Sequence, residues 1–313
     1  MIAGRITRRR FLGSLAALGL GSLRPLEAIA LQAGEPSRTA QSTAMQRAAH
    51  QLLERPLIFD DPMALHMLGA RRVKWLALNL ERYRAPSRRA WRAFLVTRSR
   101  YAEDELARAY REGTRQYIVL GAGLDTFAYR NPHGKRLRVF EVDHPSTQAW
   151  KRAQLREHGI ELPRSLTFVP VDFERQSLAL RLREAGWRRD APVFISWLGV
   201  AVYLTRDAVM QTLRFVAESC ARGSEIVFDF GVPDAALDEL ERKRRAEQAR
   251  GVAAVGEPWI SYFDPQALAE DMRAMGYSDA MSSGTKELNA RYFALRTDGF
   301  GLYGSGRIMS ARV

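Results

Sequence analysis

Three places in this chain combine residue types that could hold a ligand. Gly121-Ala122-Gly123 follows the apolar run Tyr117-Ile118-Val119-Leu120, Asp143 closes Glu141-Val142-Asp143, and Asp172-Phe173 follows Val171. Glycines where a strand turns towards a helix let a ligand reach the backbone. Asp143 lies twenty residues after Gly123, the spacing at which an acid meets ribose hydroxyls. A carboxylate accepts from two vicinal hydroxyls at once. An acid beside an aromatic, as in Asp172-Phe173, can accept from an exocyclic amine while the ring packs on a base. Taken in order, the set reads as a site for an adenosine-containing ligand. Two dinucleotide features are missing. The loop from Gly121 to Thr126 lacks the third glycine of GxGxxG, and the charge of Asp125 would oppose a pyrophosphate. An adenosine ligand without phosphate fits better, and S-adenosylmethionine is the obvious candidate. A NAD-type oxidoreductase is the alternative.

These residues are useful only if a scaffold brings them to one edge. From Gln116 onward, apolar runs at Tyr117–Leu120, Leu137–Val142, Leu166–Val171, Val193–Trp197 and Glu225–Phe230 alternate with segments able to form helices, including Thr147–Glu157, Gln176–Ala185 and Arg206–Ala221. Such alternation predicts a doubly wound α/β fold, its mostly parallel sheet covered on both faces and its ligand beyond the strands' carboxyl ends. Tyr277–Met281 and Tyr292–Leu295 are candidate edge strands, and Asp125–Tyr129 is expected to enter a helix. Upstream, Ala40–Leu53 has helical spacing, Asp60-Asp61-Pro62 reads as an acidic cap with proline in the first turn, and Ala90–Ala109 reads as a long helix. Its stripe, from Trp91 and Phe94 to Leu106, is expected to be core. The charged stretch Asp234–Arg250 interrupts the alternation, so 234–262 is expected to be a helical insertion or lid.

Composition narrows the chemistry. A single cysteine, Cys220, excludes an internal disulfide and a multi-cysteine metal site. It reads as a buried, inert thiol on a helix. The five histidines show no metal-ligand spacing, so no metal is expected. The net charge is +13, and the basic residues are spread widely along the chain, without an RNA-binding signature or zinc-finger spacing, so no nucleic-acid partner is expected. At the start, Thr7-Arg8-Arg9-Arg10-Phe11-Leu12 precedes an apolar stretch to Leu23 and the small-x-small site Ala28-Ile29-Ala30. That order resembles a twin-arginine export signal, and the apolar run is too short for a stable membrane span. Residues 1–35 are therefore set apart, as a signal or a disordered extension, from a domain spanning 36–313.

The runs LGAGLDTFAYR (120–130), VFEVDHP (139–145), FVPVDFE (168–174) and SWLGVAVYLT (196–205) resemble the leucine carboxyl methyltransferase-like branch of class I S-adenosylmethionine-dependent methyltransferases. PSRTA, MQRAAHQLL, FDDPMAL and TRSRYAEDEL, between residues 36 and 106, resemble its N-terminal segments. The resemblance implies a seven-stranded Rossmann-like sheet with extra N-terminal helices that help close the site. It implies that Arg38 and Arg98, with Arg100 the weaker choice, meet the methionine carboxylate. Gly121 and Gly123 would cradle the methionine part, Asp143 the ribose, and Asp172 with Phe173 the adenine. The catalytic residue stays unassigned, with Tyr203 a candidate for positioning substrate. Leu198 stands where the family commonly carries a glutamate, which draws the reading away from methylation of a protein C-terminal leucine. The expected activity is O-methylation, on a carboxylate or similar group of a small or peptide-like acceptor, in the cytoplasm. Against it stands a non-catalytic protein exported by the twin-arginine route.

Overall fold

A computed structural model describes residues 38–313 other than 174, 254 and 255, and for Arg38 the backbone alone. The export-signal reading of residues 1–35 lies outside the described residues. Among those described, seven strands form one sheet in the order β3-β2-β1-β4-β5-β7-β6. The parallel strands are β1 (Gln116–Leu120), β2 (Arg138–Asp143), β3 (Leu166–Pro170), β4 (Phe194–Trp197) and β5 (Glu225–Gly231). β6 (Asp279–Ser283) and β7 (Gly306–Arg312) run antiparallel to their neighbours. Strand order reverses between β1 and β4, the point where such sheets open a crevice.

Period-two alternation sorts the strand side chains into two cores. Ile118, Leu120, Phe140 and Val142 pack with Val209, Leu213 and Val216 of α7 (Arg206–Ser219), and with Leu268 and Met272 of α9 (Pro265–Ala274). Tyr117, Val119, Val139 and Phe194 face the other way, towards Ala93, Val96 and Leu106 of α4 (Pro86–Arg111) and Leu288 of α10 (Thr285–Tyr292). Helix starts follow local chemistry. Thr205 caps α7 by accepting from Ala208 N, Asp264 caps α9, and Pro86 and Pro145 open α4 and α5 (Pro145–Glu157). Short α6 (Leu178–Glu184) follows β3, and α8 (Glu239–Ala253) follows β5.

Several expectations are corrected. Asp125–Tyr129 does not enter an α-helix; Phe127–Arg130 makes one 3-10 turn, and a second turn leads into β2. Asp61 does not cap α2 (Met63–Leu78) through its side chain. Its buried carboxylate accepts from Thr126 Oγ1 and faces Arg47 and Arg130, so it braces the loop after β1. Residues 292–295 end α10 and turn, and the strand that completes the sheet is β7, which the pattern of the sequence did not single out. Trp91 and Phe94 are half-buried and line a cleft, Phe94 while also packing against the core. Cys220 follows the last turn of α7, where burial pushes its thiol up to about 12.

The N-terminal helices are fastened by a buried polar junction. Arg92 of α4 donates through Nε to Glu54 at 3.0 Å and through Nη1 to the Tyr83 carbonyl at 2.8 Å. These contacts join α4 to the end of α1 (Arg38–Leu53) and to α3 (Leu80–Arg84). His50 Nε2 accepts from the Ile58 and Phe59 N–H groups while Nδ1 donates to Glu54. Burial holds the pKa of this neutral imidazole down. Removing one member of a buried pair leaves the other unpaired. Arg92→Ala should therefore destabilise the fold by about 3–5 kcal/mol, read as a lower urea midpoint with an unchanged slope. A loss within the range of ordinary surface substitutions would show that the junction is dispensable.

Candidate functional site

A cleft of about 1930 Å³ opens at the carboxyl ends of β1, β2, β4 and β5. Its floor is the loop after β1. Gly121 N and Ala122 N both donate to Val142 O, at 2.9 and 3.0 Å, pinning the loop to β2. Gly121 has φ +67°, and a Cβ there would stand 2.4 Å from Val200 Cγ2. Only glycine satisfies both the turn and this close approach. Gly123 N donates to Asp143 Oδ2 at 2.6 Å, and His144 N to Oδ1 at 2.7 Å. Burial raises the pKa of Asp143, and the two backbone donors pull it back.

Asp143, Asp172 and Phe173 line the same cleft as Gly121 and Gly123, so the structure brings together the five positions singled out at the strand ends. Asp172 is held at its backbone, where its N–H donates to Gln176 Oε1 at 3.0 Å, and its carboxylate faces Arg175 at 3.7 Å. Arg98 also lines the cleft, whereas Arg100 is half-exposed, paired with Asp104 and away from it. The side chain of Arg38 lies outside the described residues; its neighbours Thr39 and Ala40 line the cleft. Tyr203 and Leu198 both face the space, and burial raises the pKa of the Tyr203 phenol. Among the described residues no cluster of His, Cys, Asp and Glu could hold a metal ion.

Sequence reasoning missed Asp229. Arg98 Nη1 donates to its Oδ2 at 2.8 Å, and Gly199 N donates to its Oδ1 at 2.5 Å. This buried carboxylate on β5 therefore locks α4 against the loop after β4. A Cβ on Gly199 would meet the Arg98 guanidinium at 2.6 Å, so glycine leaves room for the arginine. The available signal was a lone acid inside the apolar run Ile226-Val227-Phe228-Asp229-Phe230. An aromatic wall also went unread. Trp91 lies 6.2 Å from Phe94 and 5.9 Å from Trp259 between ring centroids. Arg244 and Gln248 of α8 line the same cleft. Trp259 is distant in sequence from Trp91, so their pairing had no local signature.

Beneath the floor lies a buried ion pair. Lys151 Nζ of α5 donates to Glu141 Oε2 at 2.6 Å and to the Asp125 carbonyl at 2.8 Å. Burial outweighs the lysine and pushes Glu141 up to about 7. Burial likewise pushes Glu103, paired with Arg130, up to about 7.

Comparison with known proteins bears on this geometry. Residues 40–217 match the family model described as Leucine carboxyl methyltransferase. The "Putative S-adenosyl-L-methionine-dependent methyltransferase YktD" of Bacillus subtilis (strain 168) is 29% identical over 289 residues, covering 86% of this chain and 95% of its own. A Frankia alni protein of the same description, FRAAL3718, is 32% identical over 236 residues, covering 72% of this chain and 78% of its own. In fold, the chain is similar to a DUF574 family protein from Streptomyces avermitilis. The TM-score is 0.54 at 15% identity, over 87% of this chain and 96% of the other.

The ion pair makes stability depend on pH. Between about pH 4.5 and 7 the folded chain keeps a proton on Glu141 that the unfolded chain has lost. Its contribution therefore lowers stability as pH rises through that window. Glu141→Gln combined with Lys151→Met should reduce the slope and keep the fold. Lys151→Met alone strands the carboxylate and should cost about 3–5 kcal/mol once it ionises. Urea midpoints at about pH 5 and about pH 7.5 measure both effects. An unchanged slope in the double variant would locate the pH dependence elsewhere.

Proposed function

The chain belongs to the leucine carboxyl methyltransferase family, and from that premise we propose that it methylates an oxygen, foremost a carboxylate, on an anionic small or peptide-like acceptor. It is an S-adenosylmethionine-dependent methyltransferase. The observation that supports the proposed site is the joint placement of Gly121, Gly123, Asp143, Asp172 and Phe173 in one cleft. The donor set fits the cofactor. The glycine turn lies along the cleft beside the methionine part, Asp143 accepts from ribose hydroxyls, and Asp172 with Phe173 receives the adenine. Asp125 at the loop disfavours a phosphate-bearing ligand, against the NAD-type alternative. Arg98, positioned by Asp229, and Arg38 supply guanidinium groups for the methionine carboxylate.

When bound, S-adenosylmethionine supplies a methyl group on a positively charged sulfur. The chain's part is alignment and exclusion of water. An acceptor carboxylate is already ionised near neutral pH, so no general base is required of the protein. Leu198 suits that division of labour, because it presents no competing nucleophile or charge to the cleft. Tyr203 and the aromatic wall of Trp91, Phe94 and Trp259 orient the acceptor, while arginines such as Arg244 complement its charge. Helix α8 acts as the lid over this space. We place the reaction in the cytoplasm, where the methyl donor is made.

Calorimetric titration with S-adenosylhomocysteine tests the cofactor site. Wild type should bind, and Asp143→Ala should weaken binding by about 1–3 kcal/mol, the cost of leaving buried partners unsatisfied. Absence of heat with wild type would sink the assignment. A tritiated-methyl assay against lysate metabolites and peptides tests the acceptor class. Label that is stable to mild alkali would exclude a methyl ester.

A further inference from the structure

The second and third helices carry a surface that methyl transfer does not use. Helix α2 turns sharply at Gly69, where φ is +74° and ψ is 158°, so residues 70–78 form a separate helical limb. Helical spacing places Arg71, Lys74, Trp75 and Leu78 within one arc of that limb, opposite Val73 and buried Leu76. Trp75 is 45% exposed and Leu78 is 77% exposed. The Arg82 guanidinium from α3 lies 5.9 Å from the Trp75 ring centroid, so it belongs to the same face. Between Met63 and Arg89 the chain has seven arginines or lysines and a single acid, Glu81. Close to half of the chain's net charge of +13 therefore falls in less than a tenth of its residues.

We propose that this face docks on an anionic lipid surface. A protruding leucine beside an exposed tryptophan, ringed by cations, matches the chemistry of a bilayer interface. The apolar tip enters the headgroup region, the indole sits at its level, and the cations face acidic lipids. Long basic side chains can cover apolar surface while their heads stay in water. Solvent or nucleic acid would account for the charge but would leave the Leu78 tip without a role. No described helix is long and apolar enough to cross a membrane, so the contact is peripheral. Arg84, Ser87 and Arg88, from the same basic segment, line the cleft. The proposal is independent of the identity of the acceptor.

Co-sedimentation of the full-length chain with vesicles tests it. Wild type should pellet with phosphatidylcholine vesicles containing roughly 30% phosphatidylglycerol and remain soluble with phosphatidylcholine alone. Trp75→Ser with Leu78→Asp, and separately Arg71→Glu with Lys74→Glu, should each lower partitioning by about tenfold or more. Both double variants should melt at the wild-type temperature and bind S-adenosylhomocysteine as wild type does. Failure of wild type to pellet with anionic vesicles would overturn the proposal. So would pelleting of both variants to the same extent as wild type, which would assign binding to another part of the chain, such as residues 1–35. Patch-dependent capture by poly(U) without vesicle binding would assign the face to nucleic acid instead.

Discussion

The Asp143 carboxylate is the interaction on which the site turns. It ends β2, yet one oxygen accepts from Gly123 beyond β1 and the other from His144 at the start of α5. One side chain thus fixes the distance between the loop after β1 and the neighbouring strand end. Both of its donors are backbone groups, so the loop cannot change shape without releasing the acid. Preorganisation of this kind lets binding energy go to the ligand rather than to ordering the loop. The Lys151–Glu141 pair supports the same loop from below through the Asp125 carbonyl.

A second brace works at the other side of the reversal in strand order. Asp229 holds Arg98 from α4 and the Gly199 N–H after β4 with its two oxygens. The two carboxylates therefore share one logic. Each takes one backbone donor from an adjacent strand's loop and a second partner from a helix or its start: His144 N for Asp143 and the Arg98 guanidinium of α4 for Asp229. The N-terminal helices need their own fastening, because they pack against one end of the domain rather than on the sheet. The Arg92–Glu54–His50 junction provides it. It places Thr39 and Ala40 where they line the cleft.

The sheet was legible because its parallel strands are short apolar runs between helix-competent segments, and that signal is local. Gly121, Gly123, Asp143 and Asp172 were legible for a related reason, since each sits at a strand end that periodicity could locate. Asp229 was not, because it lies within β5, where a charge reads as an irregularity until Arg98 is brought to it from 131 residues away. The last strand escaped for a different reason. Gly306–Arg312 mixes two arginines and a serine with Ile308 and Met309, since an antiparallel strand near the sheet edge needs less apolar sequence than a central one. Asp61 was misread because capping logic is local, whereas its partners Thr126 and Arg130 arrive from beyond β1. Trp91 and Phe94 satisfy a core stripe and a cleft wall equally well by spacing alone.

The position of β7 bears on how the molecule comes to be assembled. It lies between β5 and β6, and its pairing with β5 runs from Glu225–Arg312 to Gly231–Gly306. During synthesis, the strand that carries Asp229 must wait with an open edge while about seventy further residues leave the ribosome. An unpaired strand of this kind is a template for wrong partners. The nascent chain thus has β1 to β5 in hand early, while the strand that carries Asp229 gains its flanking strand only after β7 has emerged. The flank beside the Asp229–Arg98 pair and the sheet itself are completed by the same event.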